Sequence, residues 1–274
     1  MAGEARQGRV LALYHLKGGV GKTTAAVNLA YLSAASGLKT LICDLDPQSS
    51  TTYFFRVKPA LKNARKVLLK GGTRVADNIK GTDYEGLDLL PADWSHRHLP
   101  SLLGRVKKSR RRLRGVLDPF RGEYDLIILD SPATATVLAE CIFVAADMLL
   151  VPVVPSTLAA RAYANLRLFL RRKDYDEAKV WAFFSMVEAR KKLHRATMQA
   201  MREQFPQWLP AAIPYNVDVE SMGLARAPLP VRSPRGAATR CFRELWEQVA
   251  GRMDGGDPET DASARSVPVR EIPQ

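Results

Sequence analysis

The stretch that decides the fold is His15-Leu-Lys-Gly-Gly-Val-Gly-Lys-Thr-Thr24. It follows an apolar run that predicts a strand and precedes a pattern that predicts a helix, which is the setting a phosphate-binding loop requires. Gly18, Gly19 and Gly21 let the backbone turn tightly and approach oxygen atoms closely. Backbone N–H groups and the start of the helix would then face phosphates. The stretch therefore predicts a nucleotide site between the first strand and the first helix.

The side chains of this loop suit a nucleotide with a bound metal ion. The Lys22 ammonium is expected to neutralise the β- and γ-phosphates, and the Thr23 hydroxyl is expected to ligate Mg²⁺. Thr24 lies where it could reach the α-phosphate. The predicted nucleotide contacts of the loop are Gly18, Gly19, Val20, Gly21, Lys22, Thr23 and Thr24.

Short apolar runs alternate with helical patterns on either side of the loop. Several of the runs are apolar without alternation, as expected for strands buried on both faces. Repeated strand–helix–strand units predict an α/β fold with a mostly parallel, doubly wound sheet flanked by helices. Strands are predicted at 9–15, 40–43, 87–90, 125–130, 148–154, 180–186 and 211–214, and helices near 22–36, 58–69, 101–117, 157–172, 191–204 and 236–252.

The ends of the chain differ in composition from the middle. Residues 1–8 are polar and predict a short tail without an apolar secretory segment. Residues 9–252 are expected to form one domain. Residues 253–274 are rich in Gly, Pro, Ser and acidic residues and lack an apolar period, which predicts a disordered tail without an amphipathic anchor.

Composition excludes several classes of protein. No run of about 18 apolar residues is present, so we expect no membrane-spanning helix. Cys43, Cys141 and Cys241 lie far apart without a CxxC pair, which argues against disulfide frameworks and against zinc or iron–sulfur sites and fits a reducing compartment. The histidines show no metal-binding spacing either, and His96 and His98, in a polar segment, are expected to be solvated.

The net charge indicates a polyanionic partner. Forty-one basic and 28 acidic residues give a formal charge of +13, and the excess lies before residue 201. A clustered excess of this size favours nucleic acid as the partner, although solubility alone is the alternative.

Two further motifs end predicted strands in carboxylates. In Cys43-Asp-Leu-Asp-Pro-Gln48, alternation places Asp44 and Asp46 on the same face. In Tyr124-Asp-Leu-Ile-Ile-Leu-Asp-Ser-Pro-Ala133, an apolar strand delivers Asp130 towards Mg²⁺. The carboxyl ends of parallel strands meet at the crevice where ligands bind, so we expect these groups near the loop. An acidic strand end followed by a proline turn is the alternative for Asp44 alone.

Together these motifs resemble one family. Leu16 holds the place of the first glycine in GxxxxGK[ST], and Lys17 is added. The form KGGxGK[ST] resembles the deviant Walker A loop of the ParA/MinD ATPases (SIMIBI class), with ParA-type partition ATPases the nearest group. The resemblance covers residues from about 9 to about 250 and includes the D-x-D-P-Q motif, while DSPA departs from the usual D-x-P-P.

The resemblance implies an ATPase that uses ATP and Mg²⁺ and forms a homodimer when ATP is bound. Lys17 would reach the nucleotide of the other subunit, and Asp46 would orient or deprotonate the attacking water. The implied catalytic residues are Lys17, Lys22 and Asp46, and the implied metal residues are Thr23, Asp44 and Asp130.

A late segment resembles the loop that touches the adenine in this family. It is Ile213-Pro-Tyr-Asn216, which makes Pro214 and Asn216 candidate base contacts. The asparagine usual near the end of the sixth strand is absent from Phe183-Phe-Ser-Met-Val187.

The resemblance also implies non-specific binding of duplex DNA. Because the phosphate loop starts near the beginning of the chain, we expect no helix-turn-helix domain before it. The basic run Arg105–Arg114 fits a solvated helix face as well as a phosphate contact. The candidate DNA contacts are Arg190, Lys191, Lys192, Arg195, Arg202, Arg240 and Arg243.

The implied role is to position a cargo over the bacterial nucleoid. The cargo could be a plasmid, a chromosome or a protein assembly, and a partner of ParB type or a cargo adaptor would stimulate hydrolysis. This implies a cytoplasmic, nucleoid-associated protein without membrane binding. Two alternatives stay open: a membrane-surface ATPase of MinD or flagellar-number type, and a P-loop ligase or cobyrinate amidase relative that acts on a small molecule.

Overall fold

The computed structural model describes residues 7–58, 73–105 and 108–255. All but the first residue of the helix predicted near 58–69 lies outside these residues. The same holds for most of the predicted tails at 1–8 and 253–274.

A single sheet organises the described residues, and the α/β prediction is confirmed. Its strand order is β3-β4-β2-β5-β1-β6-β7-β8, and every neighbouring pair is parallel except β3 with β4. The strands are β1 (Arg9–Leu13), β2 (Thr40–Asp44), β3 (Lys80–Gly81), β4 (Leu87–Leu90), β5 (Leu126–Asp130), β6 (Met148–Val153), β7 (Val180–Val187) and β8 (Trp208–Pro214).

Helices cover both faces of this sheet. They are α1 (Lys22–Ala35), α2 (Ser50–Phe54), α3 (Thr73–Ala76), α4 (Leu99–Leu103), α5 (Arg112–Leu117), α6 (Val137–Ala145), α7 (Thr157–Arg172), α8 (Lys192–Gln204), α9 (Val217–Glu220), α10 (Met222–Ala225), α11 (Leu229–Arg232) and α12 (Ala237–Met253). Short 3₁₀ turns cover Trp94–His98, Ser109–Arg111, Asp118–Gly122 and Glu177–Lys179. No helix in the described part of the chain has the length and apolar character needed to cross a bilayer.

Alternate residues of each central strand supply two separate cores. In β1, Val10 and Ala12 face one core, whereas Leu11 and Leu13 face the other. The first core lies under α4 to α8, and the second lies under α1, α10, α11 and α12. Burial on both faces explains why these strands are apolar without alternation.

Two element predictions are wrong, each for a local reason. The helix predicted over 101–117 is broken: α4 ends at Leu103, Lys108 has a left-handed φ of 57°, and α5 begins only at Arg112. A left-handed residue cannot continue a right-handed helix. The strand predicted from Ala211 begins at Trp208, because β8 is an edge strand and an edge tolerates Pro210.

One histidine also departs from its prediction. His98 is exposed, as expected, but His96 is buried. Its Nδ1 lies 3.1 Å from the backbone nitrogen of Asp93, while the Asp93 carboxylate accepts the N–H of Ser95 at 2.7 Å. This capping arrangement of the 3₁₀ turn explains the burial.

Candidate nucleotide site

Three adjacent strands end at the same edge of the sheet and carry the motifs that the sequence singled out. β1 leads into the phosphate loop, and its neighbour β5 ends at Asp130. On the other side of β5, β2 ends at Asp44, which is in register with Asp130. The carboxyl edge of a parallel sheet is where such folds bind ligands. The predicted loop and carboxylates are therefore brought together.

The glycines of the loop have the conformations that a phosphate cradle needs. Gly19 and Gly21 have φ values of 70° and 92°, which side chains rarely adopt. Gly21 immediately precedes α1, and no side chain caps this helix start, so the first N–H groups of the helix are available to a ligand. A Cβ on Gly21 would also lie 2.9 Å from Ser185 Oγ. Both conformation and space therefore favour glycine at this position.

The two lysines of the loop have different environments. Lys22 is 7% exposed, and its Nζ donates to the Lys17 carbonyl at 3.5 Å. Burial lowers the pKa of Lys22, while the charges of Asp130 and Asp46 act to raise it. Lys17 is exposed. One cation thus lies inside the site and the other on its surface.

Asp130 combines two hydroxyl contacts with an open oxygen. Its Oδ2 accepts hydrogen bonds from Thr23 Oγ1 and Thr51 Oγ1, both at 2.8 Å. Its Oδ1 is buried and has no hydrogen-bond partner among the described residues. Burial raises the pKa of this carboxyl group. A buried carboxylate oxygen without a donor suits a cation, so Asp130 and Thr23 fit the Mg²⁺ that the motif implies.

Asp44 uses both of its oxygens within the chain. Oδ2 accepts from the Thr52 backbone N–H at 2.9 Å and from Thr52 Oγ1 at 2.7 Å, while Oδ1 accepts from the Asp46 N–H at 3.2 Å. Burial and the charge of Asp130 raise the pKa of Asp44. These contacts fasten the start of α2 to the end of β2. A metal role for Asp44 stays a prediction.

Asp46 lies just past the strand, at the rim of the site. Its side chain is partly exposed, and Oδ1 accepts the Gln48 N–H at 2.9 Å. The charge of Asp46 acts to raise the pKa of Lys22. Asp46 therefore retains an oxygen that can contact a water molecule at the phosphate end.

A pocket beside the loop contains the predicted base contacts. Pro214 and Asn216 line it together with Thr24 at the start of α1, and Asn216 Oδ1 accepts the Asp218 N–H at 2.8 Å. The amide NH₂ of Asn216 is the group left for a ligand. The other lining residues are Gly21, Ala25, Phe183, Ser185, Met186, Ile213, Tyr215, Val219, Glu220 and Phe242.

The candidate DNA contacts are all exposed but lie on two layers. Arg195 and Arg202 line one groove along α8, where Lys191 pairs with Glu188 at 2.6 Å. Arg240 and Arg243 belong to α12, which packs on the opposite face of the sheet. The structure therefore does not gather the candidates into one patch within a single subunit.

Sequence reasoning missed several residues of the site. Thr51 and Thr52 hold the two strand-end carboxylates, Ser185 contacts the loop, and His15 accepts the Lys17 N–H at 2.9 Å. The available signal was the position of Thr51 and Thr52, three and four residues after Gln48 at the end of the D-x-D-P-Q motif. No spacing rule pointed to His15 or Ser185.

Comparison with known proteins identifies relatives over most of the chain. A family model described as an AAA domain matches residues 8–175. The sporulation initiation inhibitor protein Soj of Bacillus subtilis is 27% identical over 249 residues, which cover 89% of this chain and 98% of Soj. The chromosome partitioning protein ParA of Caulobacter vibrioides is 29% identical over 252 residues, which cover 89% of this chain and 94% of that protein.

Solved structures share the fold at lower identity. The ATP complex of Cyanothece McdA has a TM-score of 0.77 at 22% identity and covers 89% of this chain and 97% of its own. Cobyrinic acid a,c-diamide synthase of Mycobacterium smegmatis, with ADP and magnesium, has a TM-score of 0.76 at 23% identity, with 91% and 97% covered. The cell division ATPase MinD of Pyrococcus furiosus has a TM-score of 0.73 at 21% identity, with 89% and 99% covered. These structures share the fold, and the family model over residues 8–175 together with the Soj and ParA relatives shows that the chain belongs to the ParA/MinD family of P-loop ATPases.

Proposed function

We propose that this chain is a ParA-like ATPase that dimerises with ATP and Mg²⁺, binds duplex DNA non-specifically and positions a cargo. A partner of ParB type or a cargo adaptor would stimulate hydrolysis and release the DNA. The cargo would be a plasmid, a chromosome or a protein assembly. The cycle would take place in the bacterial cytoplasm, on the nucleoid and without membrane binding.

The observation that carries this proposal is the separation of the two loop lysines. Lys22 is buried, and the charges of Asp130 and Asp46 act to raise its pKa, whereas Lys17 is exposed on the same loop. An exposed lysine beside the phosphate end can reach a nucleotide held by a second copy. There it would add positive charge where the transition state develops negative charge.

The other site residues divide the chemistry of hydrolysis between them. Lys22 and the backbone N–H groups from Gly18 to Thr24 would hold the phosphates. Asp46 would orient the attacking water and accept its proton. Thr23 and Asp130 would hold Mg²⁺, which when bound neutralises charge on the phosphate oxygens. Catalysis by positioning and charge predicts slow turnover until the partner binds.

The base would occupy the pocket beside the loop. Pro214 packs on one side, and the Asn216 NH₂ can donate to a ring nitrogen of adenine because Asn216 Oδ1 is already engaged. Thr24 and Gly21 of the phosphate loop line the same pocket, so the place for the base would adjoin the place for the phosphates.

The name of one relative supports the proposed cargo, and the net charge of the chain supports DNA as the polymer to which it binds. One matched relative is described as a chromosome partitioning protein. The net charge of +13 suits a polyanion, and both α8 and α12 present exposed arginines. Because these helices lie on opposite layers, two subunits could present the two sets side by side in a dimer.

Duplex DNA binding tests this function. Affinity is measured without nucleotide, with ADP and with ATP–Mg²⁺ across a salt series, for the wild type and for Lys17→Ala. We expect ATP-dependent binding that weakens steeply with salt, because neutralising about 6–10 phosphates releases their counterions. The Lys17→Ala variant should lose this binding. The Lys80→Ala variant, which changes a partly exposed lysine on the edge strand β3, should keep it. No binding in any nucleotide state would contradict the proposal.

A second candidate function follows from the fold neighbours. The TM-score of cobyrinic acid a,c-diamide synthase is almost as high as that of McdA. An ATP-dependent ligase acting on a small carboxylic acid would turn over without DNA. Fast DNA-independent ATP consumption that required a small carboxylate substrate would favour that candidate.

A further inference from the structure

His15 lies between the end of β1 and the lysines of the phosphate loop. Its side chain is 1% exposed, and its Nδ1 accepts the backbone N–H of Lys17 at 2.9 Å. A ring nitrogen that accepts a hydrogen bond carries no proton, so the neutral ring has its proton on Nε2. This contact ties the backbone of Lys17 to the buried end of a central strand.

His15 Nδ1 remains a hydrogen-bond acceptor over the neutral pH range. Burial, with smaller contributions from the charges of Lys22 and Lys17, lowers the pKa of His15 to about 4. The ring is therefore neutral wherever the protein would work, and Nδ1 stays available to the Lys17 N–H.

The backbone of Lys17 is held at two points. The His15 ring takes its N–H, and the Lys22 Nζ donates to its carbonyl at 3.5 Å, near the limit for a hydrogen bond. In the proposed function, Lys22 turns to the phosphates, so the His15 contact is the one that remains. Cβ atoms on Gly18 and Gly19 would meet nothing within 4 Å, so packing restrains the next residues little.

The environment of the other ring nitrogen, Nε2, indicates that His15 does more than fill space. Nε2 is buried and has no hydrogen-bond partner among the described residues. A buried donor without a partner is destabilising. An apolar residue would avoid that penalty, so the group that distinguishes a histidine here is its Nδ1 acceptor.

We propose that His15 is a positioning residue that fixes the direction in which Lys17 leaves the loop. This inference rests on the proposed function, in which Lys17 acts on the nucleotide of the second subunit. An interaction made mainly in the transition state affects kcat more than ground-state affinity. Loss of the His15 contact should therefore lower kcat while ATP affinity changes little.

Three substitutions separate the acceptor from the volume of the ring. In His15→Asn, Oδ1 takes the place of Nδ1 and keeps the acceptor. In His15→Leu, similar bulk is kept without an acceptor, and in His15→Gln the acceptor is displaced by one bond. The exposed His98→Leu variant is the matched control. DNA- and partner-independent ATP turnover and the affinity for a fluorescent ATP analogue are measured for each, and melting temperatures verify folding.

We expect His15→Leu and His15→Gln to lower kcat about tenfold with ATP affinity within about threefold of wild type. The His15→Asn variant should recover most of the turnover. Equal losses in His15→Asn and His15→Leu, or a loss of affinity as large as the loss of kcat, would overturn the inference.

The turnover of Lys17→Ala distinguishes a failure of the proposed role of Lys17 from a failure of the positioning role of His15. If Lys17→Ala turns over like the wild type, the proposed role of Lys17 fails, and the role of His15 fails with it. If Lys17→Ala is inactive while a folded His15→Leu keeps wild-type kcat, only the positioning role of His15 is overturned.

Discussion

Gly21 shows how a single residue couples the loop to the rest of the site. Gly21 is the cap residue of α1 and has a φ of 92°. A Cβ added to it would lie 2.9 Å from Ser185 Oγ. The loop is thus fixed between its own helix and β7, the strand that borders the base pocket. A side chain at Gly21 should disturb both the loop and the pocket.

We predict that Gly21→Ala lowers stability by about 1–2 kcal/mol, the cost of a left-handed conformation for a residue with a side chain. It should also weaken nucleotide binding about tenfold or more, because the N–H groups that face the phosphates shift. Gly37→Ala is the matched control: its φ is 93° and no atom lies within 4 Å of its Cβ. Urea unfolding and nucleotide titration measure both effects. Unchanged nucleotide binding in Gly21→Ala would refute the prediction.

At the scale of single residues, the motif residues could be predicted from the sequence, but the residues that hold them in place could not. The residue types and spacing of the loop specify a phosphate cradle whatever the rest of the fold. Thr51 and Thr52 hold Asp130 and Asp44 only because α2 folds back over the strand ends. His15 and Ser185 depend in the same way on contacts that no local pattern encodes.

At the scale of elements, α7 is joined to the far half of the sheet by a buried cation. Arg167 is 8% exposed, and its guanidinium donates to Glu177 Oε2 at 3.1 Å and to Gln207 Oε1 at 2.7 Å. Glu177 precedes β7 and Gln207 precedes β8. One side chain of α7 therefore contacts the segments that lead into both outer strands.

Replacing Glu177 tests this connection. Burial acts to raise the pKa of Glu177, but hydrogen bonds from Arg171 and Arg167 outweigh it and lower the pKa below its usual value of 4.5. A lowered acid pKa contributes stability above the usual pKa, and this stability is lost as pH falls through the native value. We predict that Glu177→Gln costs about 1–3 kcal/mol at neutral pH and that the difference from wild type shrinks in acid.

Urea unfolding at neutral and acid pH measures this prediction. Glu188→Gln, which removes an exposed ion pair with Lys191, is the matched control and should cost under about 1 kcal/mol. A Glu177→Gln penalty that stays constant from neutral to acid pH would show that the ion pair does not supply the stability.

The elements that escaped prediction did so for two physical reasons. α6 is apolar nearly all round, since it is buried among α5, β1 and the 3₁₀ turn at Ser109–Arg111, so it shows no helical stripe. β3 has only two residues and α2 only five, too short for a period to emerge. The strands of the sheet centre were predicted from their continuous apolar runs. The amphipathic helices α7 and α8 were predicted because their period extends over many residues.

At the scale of the whole molecule, the site is built at the carboxyl edge of the sheet, and part of its loop is exposed to solvent. Buried groups, Lys22 and Asp130, lie inside, and Lys17 lies outside. The exposed arginines lie on both helical layers. A symmetric dimer would repeat each set through one two-fold axis, and the same surface would be used by both subunits. The central claim is that Lys17 completes the site of the other subunit.

A mixing experiment tests that claim most directly. Lys17→Ala keeps its own Asp46 but lacks the exchanged lysine, whereas Asp46→Asn keeps Lys17 but lacks the group that orients water. Each variant alone should be inactive. When they are mixed in equal amounts, half of the dimers are mixed and each of these has one complete site, so ATP turnover should recover to about a quarter of wild type. If mixing restores no turnover while both variants still dimerise with ATP, Lys17 acts within its own subunit and the account is contradicted.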